Sequence, residues 1–282
     1  EKLTLAMNIN YTNENNNNPP QVGQQGQSAA NFLHRMSLTT PTSAFRDNNF
    51  DPITQTERIT SGFQSTMINP YYLYPRQFYL DTRHRLLGTA TLRYEFNDWL
   101  YAQGRINYDY STNFHERNNP TGVGSSSAID TANGGFEGSY NVDQSSGVDL
   151  NADFLIGTNQ VFGDFTADVS IGGNIYKMKD RTVGAGANDF IARDVYSIGN
   201  GVAFTQFYNF SRSQVNSLYA YADFGYKGIL FLNATGRNDW FSVMNPSQNS
   251  YFYPSVGGSF IFSQLLDADW LSYGKLRASW AD

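Results

Sequence analysis

Few residues in this chain are of the types that do covalent or metal chemistry, and their spacing argues against it. The three histidines, His34, His84 and His115, are scattered, and there is no cysteine. With no His-x-x-x-His pair and no thiolate, a zinc site is not expected. Asp149-x-Asn151-x-Asp153 puts three oxygen-bearing side chains on one face of a strand. A calcium loop needs a turn with Gly and a distal Glu, both absent, so the pattern reads as a polar wall. Gly184-Ala185-Gly186 and Gly122-Val123-Gly124 do not follow a strand and open a helix, as a phosphate cradle requires. No Ser/His/Asp set has a recognisable local context, and no carboxylate pair of the glycosidase kind is singled out. The expectation is no enzyme, no metal and no cofactor.

What remains is binding chemistry. Tyr71, Tyr72, Tyr74, Trp240 and Phe241 are aromatic rings in polar stretches, with Asn238 and Asp239 beside two of them. Such rings stack on the C–H faces of sugars, and amides or carboxylates bond the hydroxyls. The same rings serve equally to pack loops together or to sit at a membrane–water interface.

The elements that must position these residues are strands. Along Val215–Tyr226, Leu218, Ala220, Ala222, Phe224 and Tyr226 share one face, while Ser217, Tyr219, Tyr221 and Asp223 share the other. A turn at Lys227-Gly228, a second alternating run, a polar loop from 237 to 252 and a third run follow. Most of the chain repeats this plan. Leu3, Leu5, Met7, Ile9 and Tyr11 alternate with Thr4, Ala6, Asn8 and Asn10. Further runs cover 82–96, 99–112, 148–156, 165–177 and 275–281, and the run ending at Tyr226 reaches back to Ala203 as one long strand or two pieces. The pattern predicts nine strands whose connections alternate between long and short. The short ones are Asn97-Asp98, 158–163, Lys227-Gly228 and 264–273; the long ones are about 13–81, 113–143, 178–202 and 237–252. Ser28–Met36 reads as a short helix, and Asn69–Pro75 as a folded loop between prolines.

Antiparallel up-and-down strands with every long loop at one end describe a transmembrane β-barrel. Runs of 9–14 residues suffice, since a tilted strand crosses a bilayer in ~9–11. Composition agrees: aromatics reach 16%, with 19 Tyr and 21 Phe, more than an aliphatic core would use. A net charge of −6 that no basic patch offsets argues mildly against nucleic acid. No apolar run approaches a membrane helix, and no signal peptide opens the chain. A soluble β-sandwich or propeller also alternates, but rarely places its long loops at one end.

Several runs carry a family resemblance: Tyr226-Lys227-Gly228, Ala234-Thr235-Gly236-Arg237-Asn238-Asp239-Trp240, Asn249–Val256 and Trp270–Trp280. Asn69-Pro70-Tyr71 and 81–100 carry it too. Together they resemble the SusC-like, TonB-dependent outer-membrane transporters of Bacteroides-type bacteria. The Ser-rich stretch common after Arg-Asn-Asp-Trp is here Phe241-Ser242-Val243-Met244. The resemblance implies a barrel of about 22 strands around a plug. It also implies a SusD-like surface lipoprotein as lid, energy from TonB, and import of oligosaccharides or, in some members, peptides. The expected location is the outer membrane, with the lipid bilayer around the strands. With neither plug nor TonB box evident, residues 1–282 read as a middle portion of the barrel. The loop aromatics then lie where ligand or lid approaches. A non-transporting surface or adhesion protein is the alternative from another class.

Overall fold

The computed structural model describes residues 2–18, 28–37, 39–58, 68–123, 129–130, 135–266 and 270–282. Nine long strands dominate: β1 (Leu3–Asn17), β2 (Tyr79–Glu95), β3 (Leu100–Asn119), β4 (Gly135–Phe162), β5 (Phe165–Phe190), β6 (Gly201–Tyr226), β7 (Leu230–Phe241), β8 (Ser250–Phe260) and β9 (Leu276–Ala281). Each pairs antiparallel with the next in chain order, so the sheet is a single up-and-down meander with β1 and β9 at its edges. A two-residue strand, Ile129–Asp130, adds to β4, and Phe50–Asp51 pairs with Thr56–Glu57 in a separate hairpin.

Register carries the sequence alternation across the sheet. One row runs Met7, Ala90, Ile106, Ala152, Ile175; the row displaced by one residue runs Ala6, Thr91, Arg105, Asp153, Asn174. The first is apolar and the second polar, because a one-residue step moves every side chain to the other face. Nothing covers the apolar face among the described residues. Ile9 is 68% exposed, Ile171 59% and Leu218 53%. A sandwich would bury these side chains under a second sheet, and the described residues form no such second layer.

The turns explain why the strands reverse where they do. Gly163, at φ +59°, opens the two-residue link from Phe162 to Phe165. Lys227 and Gly228 both take positive φ between β6 and β7. The two turns are tied together: Lys227 N–H donates to the Asp164 carbonyl at 2.8 Å, and its ammonium lies 3.5 Å from the Asp164 carboxylate.

The strands outrun the alternation. β3 continues past Thr112 to Asn119, β4 begins at Gly135 rather than near 148, and β5 and β6 reach Phe190 and Gly201. The loops at that end are correspondingly shorter than the pattern suggests. The backbone ladder persists there although the residues no longer alternate cleanly between apolar and polar. At the same end α1 (Ala29–Arg35), α2 (Thr42–Arg46) and α3 (Pro70–Leu73) fold over the strand tips. Ser28 caps α1, its Oγ accepting from Asn31 N–H at 3.3 Å. The buried apolar residues are mainly here, not on the sheet: Phe32, Phe45, Tyr72, Leu73 and Phe190.

Candidate functional site

Two places concentrate polar chemistry: the polar face of the sheet and the loop platform at its long-loop end. On the polar face several opposite charges meet within and between strands, although Asp109 also faces Asp149 and Asp168 faces Asp223. Arg105 Nε donates to Asp153 Oδ2 at 2.9 Å, and Arg85 pairs with Asp109 through both guanidinium arms. Arg237 donates to Asp239 Oδ1 at 2.7 Å and to Ser217 Oγ at 2.9 Å. Asn151 bonds Asn174, and Thr89 donates to Asn107 at 3.0 Å. A hollow on this face is lined by Arg105, Asp153, Asn174, Tyr176, Tyr219, Arg237, Asp239 and Phe241. Its arginines and carboxylates satisfy one another, so it offers tyrosine rings, amides and paired charges rather than a net field.

The platform is built around α3. Asn69 caps it, Oδ1 accepting from Tyr71 N–H at 3.0 Å, while its Nδ2 donates to the Phe45 carbonyl and its N–H to Glu57 Oε2. Tyr72 is fully buried. Its ring stacks on Phe50 with planes 9° apart, and the Arg76 guanidinium sits 4.2 Å above it. Its hydroxyl donates to the Thr121 carbonyl at 2.8 Å and accepts from Arg193 Nη2 at 3.2 Å. Burial raises the Tyr72 phenol above its ordinary value, because the anion loses water. Next to it, Tyr196 packs edge-on against Phe78 and Phe190, and burial, aided by Asp194, pushes it up to about 12.

The Tyr196 shift has a testable sign. Below pH ~10 the phenol is neutral whether folded or unfolded. Between ~10 and about 12 the folded state keeps a proton that the unfolded chain has released, so platform stability falls as pH rises through that window. Difference absorbance at 295 nm between the wild type and Tyr196→Phe isolates this titration. The expected midpoint is about 12; an ordinary midpoint near ~10 would show the ring to be solvated.

The sequence-selected residues divide among three surroundings. Tyr71 and Tyr74 are 39% and 45% exposed on the platform, with the Tyr74 hydroxyl accepting from Ala29 N–H at 3.0 Å, whereas Tyr72 lies beneath them. Asp239 and Phe241 face the polar hollow, Phe241 meeting Tyr251 edge-on at 5.9 Å. Asn238 and Trp240 point the other way. Asn238 bonds Ser250 at 2.9 Å, and Trp240 lines a hollow on the apolar face with Leu218, Ile175, Phe154 and Ile106. Consecutive residues of a strand cannot share a face, so the run 238–241 is not one site. The polar hollow's other members, among them Arg105, Tyr219 and Arg237, are brought there by register. The alternation was the available signal for them, since each falls on a polar-face position of its run. The histidines stay apart: His84 Nδ1 lies 2.8 Å from the Tyr11 hydroxyl and His115 Nδ1 lies 3.1 Å from Asp81.

Comparison with solved structures gives the fold. The RagAB peptide transporter matches all of this chain with a TM-score of 0.75 at 14% identity. The RagAB peptide importer matches with TM-scores of 0.78 in its "open-open" state and 0.76 in its "closed-closed" state, again at 14% identity. The chain has the fold of a segment of these transporters. It spans 31%, 30% and 31% of those three chains and is covered completely by each. No protein-family model and no curated protein matches the sequence.

Proposed function

We propose that this chain is a wall segment of a SusC-like, TonB-dependent outer-membrane transporter. The apolar face lies against lipid and the polar face lines the lumen or meets a plug. The carrying observation is the uncovered apolar face, continuous from β1 to β9, on a meander with its tight turns 163–164 and 227–229 at one end and its longest connection, 18–78, at the other. The fold match supports it, as do the family-like runs around 234–240 and 270–280. In this reading the long-loop end faces outward, a SusD-like lipoprotein closes over it, and TonB supplies energy from the periplasm. No catalytic step is assigned to the chain.

The cargo we propose is an oligosaccharide. The lumen hollow presents Tyr176, Tyr219 and Phe241 beside Asn174 and mutually neutralised Arg–Asp pairs. Such a wall offers stacking faces and hydroxyl partners without a field that would select charge. Tyr71 and Tyr74 on the platform are the outermost rings a ligand or lid would meet. Trp240, on the lipid side, serves the interfacial girdle. A second reading, peptide import, is favoured by the peptide transporters that share the fold.

The test is deletion of the full-length gene in its source bacterium, with uptake of labelled oligosaccharides and peptides measured separately. Loss of oligosaccharide uptake alone supports the reading, and loss of peptide uptake alone transfers it to peptides. Unchanged uptake of both, in cells whose outer membrane had held the protein, would defeat the transporter assignment.

A further inference from the structure

The outward face of β4, β5 and β6 separates charge completely. All carboxylates of these strands that register places in paired rows, among them Asp149, Asp153, Asp168 and Asp180, fall on the polar face. The apolar face of the same rows carries no acidic residue. It does carry four cations, at Lys177, Lys179, Arg181 and Arg212. Lys179 and Arg212 are direct cross-strand partners, and Lys177 and Arg181 flank Lys179 two residues away on the same face. Like charges placed opposite one another oppose folding unless an anion lies between them. Among the described residues none of the four makes an ion pair. Arg212 instead lies over the Phe210 ring at 4.6 Å.

Their height on the wall is informative. The apolar run of β5 starts at Phe165 and ends at Ile175, immediately before Lys177. Ten residue steps of about 3.4 Å at a tilt of about 40° rise about 26 Å, matching the apolar band of outer-membrane barrels, about 25 Å tall. The four cations therefore begin where the hydrocarbon ends, on the long-loop side. Resting on the membrane-barrel reading above, we infer that this patch is a binding site for the phosphate groups of an outer-leaflet glycolipid. Its acyl chains lie along Ile175, Val148 and Leu150, and its phosphates bridge Lys179, Arg181 and Arg212. Lys and Arg at this level meet phosphate oxygens with charge-assisted hydrogen bonds, and the site separates lipids by head-group charge, not by tails.

The experiment uses the full-length protein purified from its outer membrane in detergent, with native mass spectrometry as readout. Lipid A, a phosphorylated and acylated disaccharide, is added to the wild type, to the Lys179→Gln/Arg181→Gln/Arg212→Gln variant and to a Lys227→Gln control at the opposite end. The expected result is retention by the wild type and control, and at least a tenfold loss in the triple variant. Dephosphorylated lipid A should be retained no better by the wild type than by the triple variant. Equal retention of lipid A by the triple variant would overturn the inference, as would equal retention of both lipids by the wild type. So would equal thermal protection by inorganic phosphate alone, which would mark a soluble-anion site. Recovery in the outer-membrane fraction and heat-modifiable migration are read on the same samples. Failure there defeats the barrel reading, whereas normal recovery with unchanged lipid retention defeats only the lipid site.

Discussion

Gly157→Ala is expected to destabilise the wall by about 1–3 kcal/mol, and Gly157→Val to block its assembly. Gly157 on β4 lies between Tyr101 on β3 and Ser170 on β5, all on the polar face. A methyl group at Gly157 would stand 2.4 Å from the Tyr101 Cζ, 2.5 Å from its hydroxyl and 2.6 Å from Ser170 Oγ. The ring uses the missing side chain as its floor. It cannot simply lift away, because the Arg93 guanidinium lies 3.7 Å above it. The glycine is thus needed for close approach, not for an unusual backbone angle. A double-mutant cycle separates this contact from general damage. Tyr101→Ala alone loses the ring's packing, but Gly157→Ala added to it meets no ring. The double variant should therefore be more stable than the sum of the single losses predicts. Urea unfolding of the full-length protein in detergent, followed by heat-modifiable migration, reads all four members. Strict additivity would mean that the ring yields freely and that Gly157 matters only for its backbone.

The same pair illustrates what was legible in the sequence. Alternation placed Gly104, Ile106 and Tyr108 on one face and Gln103, Arg105 and Asn107 on the other, and register carries that division across the sheet. The nine strands followed from it, but the last connection, 261–275, is longer than the loops 191–200 and 242–249 that the pattern made long. That Tyr101 would lie on Gly157 did not, because the contact depends on inter-strand register, which no local pattern encodes. Strand ends were hidden for a different reason. Above the apolar belt β4 to β6 mix Gly, small aliphatic, polar and aromatic residues, so the alternation weakens and the hydrogen-bond ladder marks the strand. Among the candidate site residues, the amino-acid types were informative but the consecutive numbering misled. Asn238, Asp239, Trp240 and Phe241 look like one cluster in the chain and belong to two opposite surfaces. Arg105, Asp153 and Arg237 are distant in the chain and form one wall.

Tyr72→Ala is expected to unlock the loop platform at a local cost of about 3–5 kcal/mol, while leaving the sheet intact. The ring is fully buried and joins four separate stretches of the platform. It stacks on Phe50 from the small hairpin, carries Arg76 of its own loop, and reaches Thr121 and Arg193 from two other loops through one hydroxyl. Arg193 in turn donates to Gln55 Oε1 at 2.9 Å, and Asn118 holds the Arg76 carbonyl at 2.8 Å. Gly122 comes so close that an added Cβ would meet the Gln55 carbonyl at 2.6 Å. Truncating Tyr72 therefore removes apolar packing and strands buried donors and acceptors at once. Tyr72→Phe keeps the packing and leaves only the Thr121 carbonyl and Arg193 without their partner, for a cost of about 1–2 kcal/mol. Hydrogen exchange and limited proteolysis on the full-length protein separate the two. In Tyr72→Ala, segments 50–57, 120–123 and 191–200 should lose protection together, while β4 to β6 keep theirs, because local openings in this sheet-borne cap need not propagate into the ladder. Loss confined to 70–77 would show that the loops hold themselves without the ring. If the platform is the surface that a ligand or lid engages, the same variant should weaken uptake more than the alanine variants of exposed Tyr71 and Tyr74. A single contacting ring can be spared more easily than the residue that fixes the position of all of them.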